Sequence, residues 1–224
     1  MVPLLYHLVI MSFTNISSVM QGFLINHSLL FTLISVAAIL RFFRIYELTE
    51  FLADQGRTGI VIYQAFVEKS LPLIGPPVLT GQHLGPFFYY LAAPSFILAN
   101  FNPLGPALFM ALLGVLTVFL VLYIGQKIFG FWIGFFIAAL YAFSPSLISQ
   151  TRTLWDPTPI PFFVLLLILS LYKIYQERSF RWFVAVGALL GILIQLHYPN
   201  VFFIPLTILF FVYIIRSEKE KSTS

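Results

Sequence analysis

Long apolar runs separated by short polar breaks set the rhythm of this chain. A helix needs about 20 consecutive apolar residues to cross a bilayer. Stretches at roughly 25–43, 104–124, 131–149, 159–175 and 200–216 meet that length, and 182–196 falls slightly short. QKIFG (126–130), TRTLWDPTP (151–159), KIYQERSFR (173–181) and HYPN (197–200) supply the breaks between them. The pattern predicts an all-α polytopic membrane protein of about six transmembrane helices. No soluble domain, low-complexity linker or internal repeat interrupts it.

The segment LGPFFYYLAAPSFILA (84–99) is short, and Pro94 interrupts it. If it lies on the membrane surface or re-enters, then Lys127, Lys173, Arg178, Arg181, Arg216, Lys219 and Lys221 share one side. That side is cytoplasmic by the excess of basic residues in cytoplasmic loops. Loops 44–83, 150–158 and 197–200 then face outward together. If 84–99 spans instead, the N-terminus flips and loop 44–83 parts from the other two. The flipped arrangement adds Arg41, Arg44, Arg57 and Lys69 to the inner set, so charge alone leaves both open.

Loop 44–83 is too long for a simple connection, and long loops are usually functional or disordered. In its first half Glu47, Glu50, Asp54 and Arg57 are spaced 3, 4 and 3 apart, the stride of one helical face. Leu48, Phe51, Leu52, Ile62 and Phe66 lie mostly on the other face, which describes an amphipathic interfacial helix. Gly56 and Gly59 weaken it by roughly 1 kcal/mol each against Ala, so a break is expected there. From pattern alone, Asp54 and Arg57 form an ordinary surface pair worth a few tenths of a kcal/mol. The second half is rich in Pro and Gly and ends in Tyr89 and Tyr90, which read as a turn and an aromatic anchor.

Composition narrows the class. Hydrophobic residues make up 60% and charged residues 9%, with a mean hydropathy of +0.96. Soluble domains carry about 25% charged residues, so this chain cannot present an ordinary wetted surface. The net charge of +4 sits largely in short loops, which leaves no nucleic-acid patch. Cysteine is absent, which excludes disulfides and thiol chemistry. Residues 1–18 are apolar but lack the basic start of a cleaved signal peptide.

In SQTRTLWDPTPIPFF, Asp156 before Pro157 reads as a helix cap with proline in the first turn. Trp155 reads as a headgroup-level anchor. Arg152 is harder to dismiss, because basic residues are disfavoured at an outer helix end. His197 begins a tight turn and reads as a turn residue. His7, His27, His83 and His197 show no metal-ligand spacing.

The order of these pieces resembles the GT-C class of integral-membrane glycosyltransferases. A first span ends in RFFRIYELTEFLADQGRTGIVIYQAF. HLGPFFYY, GPALFMALLGVLTVFLVLYIGQKIFG, SPSLISQTR and DPTPIPFFVLLLILSLY follow. The succession covers roughly residues 38–200, and the closest groups are the protein O-mannosyltransferases and the bacterial aminoarabinose transferases that modify lipid A. In that class the first outward loop carries an Asp-Glu pair followed by a basic residue. Asp54 matches the Asp, Gln55 replaces the Glu, and Arg57 matches the Arg that in the aminoarabinose transferases faces the donor phosphate. Many members have Lys just before the proline of the aromatic stretch; here it is Gly85, with His83 the nearest polar substitute.

The resemblance implies sugar transfer from a polyprenyl-phosphate donor to an acceptor glycan, lipid or protein, inverting the anomeric carbon on the non-cytoplasmic face of the cell membrane. It implies Asp54 as general base, Arg57 as the first cation for the leaving phosphate and Arg152 as a second. Further candidates are Gln55, Asp156, His197 and Tyr89. The donor is lipid-linked, so no nucleotide site or other cofactor is implied. Some relatives use a divalent ion, for which Asp54 alone is a thin site. Full members are about twice this length, which leads one to expect an amino-terminal module, a split product whose partner chain supplies further helices, or an inactive relative. The alternative is a non-catalytic membrane protein, a lipid-linked sugar translocator or assembly subunit. An unrelated small transporter ranks below both, since the spans carry few polar groups and no paired repeats.

Overall fold

The computed structural model describes residues 26–78, 81–177 and 179–223. The expectations for residues 1–18 and Arg178 lie outside them. The helices are α1 (Asn26–Phe42), α2 (Ile45–Leu48), α3 (Ala53–Glu68), α4 (Phe87–Leu98) and α5 (Leu104–Phe129). They continue with α6 (Phe131–Phe143), α7 (Pro145–Gln150), α8 (Ile160–Glu177) and α9 (Phe180–Leu196). After a 3₁₀ turn (Tyr198–Phe202), α10 (Phe203–Thr223) ends the chain. Among the described residues there is no strand, only an isolated bridge between Pro77 and His83. The protein is an all-α membrane protein. Leu104–Phe129, Ile160–Glu177 and Tyr198–Ser217 are long and apolar enough to cross a membrane, and α1, α4, α6 and α9 are shorter apolar helices.

The apolar run at 131–149 is not one helix. Pro145 disfavours α geometry in the residue before it, and Ser144 adopts φ −64°, ψ 117°. The helix stops, and α7 restarts with Pro145 in its first turn. The α5–α6 hairpin depends on close backbone approach. Gly130 turns the chain at φ +89°, and a Cβ on Gly134 would come within 2.4 Å of the Gln126 nitrogen. Small residues at such a crossing replace the hydrophobic drive that lipid does not supply.

Two packed clusters hold the bundle. Ile62, Phe88, Phe96, Met110, Leu167 and Leu193 join α3, α4, α5, α8 and α9. Leu33, Ala37, Val118, Ala138 and Ala142 join α1, α5 and α6. α4 (12 residues, about 18 Å long) contributes Phe88, Tyr89, Ala92 and Phe96 to the first cluster.

The amphipathic face expected over Glu47–Arg57 is not continuous. Thr49 and Leu52 are extended and separate α2 from α3, because the Thr49 hydroxyl donates to the Arg152 carbonyl at 2.8 Å. Glu47 pairs instead with Arg44. Gly56 and Gly59 do not break α3, and Gly59 lies against Phe96, whose ring a Cβ there would meet at 3.3 Å.

Candidate active site

A cavity of about 690 Å³ opens where α3, the 72–86 segment, the 151–159 loop and the turn after α9 meet. Asp54, Arg57 and Thr58 line it from α3, Trp155, Asp156 and Pro157 from the second loop, and His197, Tyr198 and Pro199 from the turn. Loops 44–83, 150–158 and 197–200 therefore share one end of the helix assembly. Asp54 and Arg57 stay partly exposed, with Arg57 Nη1 3.2 Å from Asp54 Oδ1. Such a pair contributes at most about 1 kcal/mol and exchanges partners readily.

Asp156 does not cap α8. That helix begins at Ile160, after turns in which Thr158 N–H donates to the Trp155 carbonyl at 2.9 Å and Ile160 N–H to that of Pro157 at 3.1 Å. The carboxyl is left facing the cavity. Burial holds its pKa above the ordinary carboxylate range, offset by its own backbone N–H and by His197 and reinforced by Asp54. His197 ends α9 in extended geometry, and its Nδ1 is buried without a hydrogen-bond partner.

The other candidates stand elsewhere. Arg152 donates through Nε to the Arg41 carbonyl at 3.2 Å and through Nη2 to that of Leu40. It satisfies the orphan carbonyls at the end of α1 and does not line the cavity. Arg41, which sequence treats as a loop charge, is fully buried and donates to the carbonyls of Ala37 and Ala142. Gln55 is buried, accepts from Leu52 N–H at 2.8 Å, and donates to the Leu154 carbonyl at 2.9 Å. It closes the start of α3 and ties it to the 151–159 loop. Tyr89 is buried in the core, near enough to Arg57 and Asp156 to feel both charges.

His83 does not line the cavity; its Nδ1 lies 3.1 Å from the Gly75 carbonyl oxygen and its own carbonyl accepts from the Tyr198 hydroxyl. A Cβ on Gly85 would sit 2.3 Å from Gln195 Cγ, so a longer side chain there requires the Gln195 side chain to move aside. Among the described residues no three His, Cys, Asp or Glu side chains gather as metal ligands. Pro76, Pro77 and Tyr198 also line this cavity without any local signal for it, and so does Trp155, which its neighbours mark only as a headgroup-level anchor. Only the meeting of distant loops reveals them.

A charged cavity at one end of an all-α membrane bundle suits group transfer at a membrane edge. Over residues 83–223 the chain matches the family model described as dolichyl-phosphate-mannose-protein mannosyltransferase, and it belongs to that family. It is thus a membrane glycosyltransferase of the GT-C kind. The match spans α4 to α10 and includes Asp156 and His197, whereas Asp54 and Arg57 precede it. No curated protein and no solved structure matches the chain.

Proposed function

We propose that the chain transfers a sugar from a polyprenyl-phosphate carrier to an acceptor hydroxyl on the non-cytoplasmic face of the cell membrane, with inversion at the anomeric carbon. The observation that carries this reading is the single cavity shared by Asp54, Arg57, Asp156 and His197, which come from three separate segments. An acceptor hydroxyl is a poor nucleophile, and a positioned base contributes roughly 10²–10⁴-fold. Asp54 takes the hydroxyl proton as that oxygen bonds to the anomeric carbon. The bond to the carrier phosphate breaks, and its electron pair leaves on the phosphate.

Arg57 stabilises that developing charge. In the resting protein Arg57 holds Asp54; an arriving phosphate takes over Arg57 and frees the base. Asp156, from the 151–159 loop, bonds a sugar hydroxyl in the same cavity. The carrier's tail stays in the bilayer while its head enters the cavity.

The test is Asp54→Asn in membranes supplied with a polyprenyl-phosphate sugar. Transfer is expected to fall by at least about 10²-fold at unchanged protein level. Full transfer by the variant overturns the assignment.

A further inference from the structure

Trp155 stands in the cavity wall beside Asp156, in the loop that precedes α8. It is 45% exposed, and among the described residues its indole N–H has no hydrogen-bond acceptor. The backbone on both sides is fixed: the Leu154 carbonyl accepts from Gln55 and the Trp155 carbonyl from Thr158 N–H at 2.9 Å. Thr158 Oγ1 in turn donates to the Thr153 carbonyl at 3.2 Å.

Tyr198 lines the same cavity and is 39% exposed. Its hydroxyl is committed to the His83 carbonyl, so its ring face is what it offers a ligand. The following turn is pinned by Asn200, which donates to the Leu193 carbonyl at 2.8 Å. The Tyr198 ring is held through its hydroxyl and the backbone that carries Trp155 is fixed before any ligand arrives, which lowers the ordering cost of binding.

The cavity thus combines two aromatic side chains with Asp54, Asp156 and His197. A phosphate alone needs no aromatic face, and a hydrocarbon tail needs no carboxylate. A pyranose needs both, because it carries patches of C–H bonds bordered by hydroxyls. Pockets of this kind use apolar and aromatic walls for contact and a few polar groups for orientation. We infer that Trp155 and Tyr198 form the platform on which the pyranose ring of the transferred sugar packs, an inference that rests on the glycosyl-transfer reading above. Trp155 then adds its indole N–H as a donor to a ring hydroxyl.

The chain has three tryptophans. Replacing Trp132 and Trp182, neither of which lines the cavity, by Phe leaves Trp155 as the sole reporter. The full chain in nanodiscs is titrated with a polyprenyl phosphomannose and, separately, with the matching polyprenyl phosphate. The mannosyl lipid is expected to shift Trp155 emission and to cut its quenching by acrylamide at least about twofold, while the sugarless lipid leaves both unchanged. Binding followed by thermal shift is expected to weaken about tenfold for the mannosyl lipid, and not for the sugarless one, in Trp155→Leu and in Tyr198→Leu. Tyr198→Phe keeps the ring but loses its tether to His83, so its affinity is expected to fall less than that of Tyr198→Leu.

If the double Phe variant does not fold, the emission difference between the parent chain and Trp155→Phe reads the same event. An equal response to both lipids, or unchanged affinity in both Leu variants, overturns the platform while leaving the donor reading standing. Failure of both lipids to bind by thermal shift overturns the platform and the donor reading together.

Discussion

Burial holds the Asp156 carboxyl above the ordinary carboxylate range, with Asp54 adding to the effect and its own backbone N–H and His197 opposing it. Between the ordinary and the raised value, the folded protein keeps a proton that the unfolded chain has lost. Stability from this group is therefore complete below the ordinary carboxylate value and is lost as pH rises through the raised one. Asp156→Asn removes that dependence. We expect its melting temperature in detergent, compared with the parent, to gain ground as pH rises from the acid side through this window. Parallel profiles for the two proteins would show that Asp156 does not carry the burial cost. Nothing in the local sequence announces this environment. Asp-Pro reads as a helix start, and that reading fails because Thr158 and Ile160 close turns on Trp155 and Pro157 first.

At the scale of elements, the site depends on how α3 is fastened to the 151–159 loop. Thr49 holds the Arg152 carbonyl, Gln55 holds that of Leu154, and Arg152 holds the end of α1. Gln55 matters most, because its amide accepts on one side and donates on the other. A glutamate, which family resemblance leads one to expect here, accepts from Leu52 but offers Leu154 no proton. Gln55→Glu is therefore expected to cost about 1–3 kcal/mol, read as a lower unfolding midpoint in a denaturing detergent titration. It is also expected to reduce transfer although Asp54 and Asp156 are intact. An unchanged midpoint would mean that the two segments are held by other contacts.

Most of the helices were legible because apolar runs record their length, and the i, i+3 pair Asp54–Arg57 was legible because spacing records a helix face. The tertiary contacts of Arg41, Arg152 and Gln55 were not legible, because their acceptors there are backbone carbonyls of distant segments, which leave no trace in a side-chain pattern. The break at Ser144–Pro145 was written in the sequence, but the apolar residues on both sides hid it.

The whole molecule turns on which end of the bundle meets which side of the membrane. The cavity end carries Arg41, Arg44, Arg57, Lys69 and Arg152, and counting them as loop charges pulls that end toward the cytoplasm. The structure changes what these charges mean. Arg41 and Arg152 bind helix carbonyls, and Arg44 and Arg57 pair with Glu47 and Asp54. They serve packing and the site.

At the far end, Lys127 packs over Tyr123, and Lys173 and Arg181 converge on Glu177, whose carboxylate also accepts from Trp182. Lys127, beside the α5–α6 turn, and exposed Arg216 on α10 are the kind of basic residues that cytoplasmic ends retain. We therefore expect the cavity end to face away from the cytoplasm. The chain contains no cysteine, so single replacements report cleanly. Gln55 is too buried to serve, whereas Ser70 and Lys127 are exposed at the two ends. Ser70→Cys is expected to react with an impermeant maleimide in intact cells, and Lys127→Cys only after permeabilisation. The reverse pattern would put the cavity on the cytoplasmic side, where the proposed transfer at the outer face has no place.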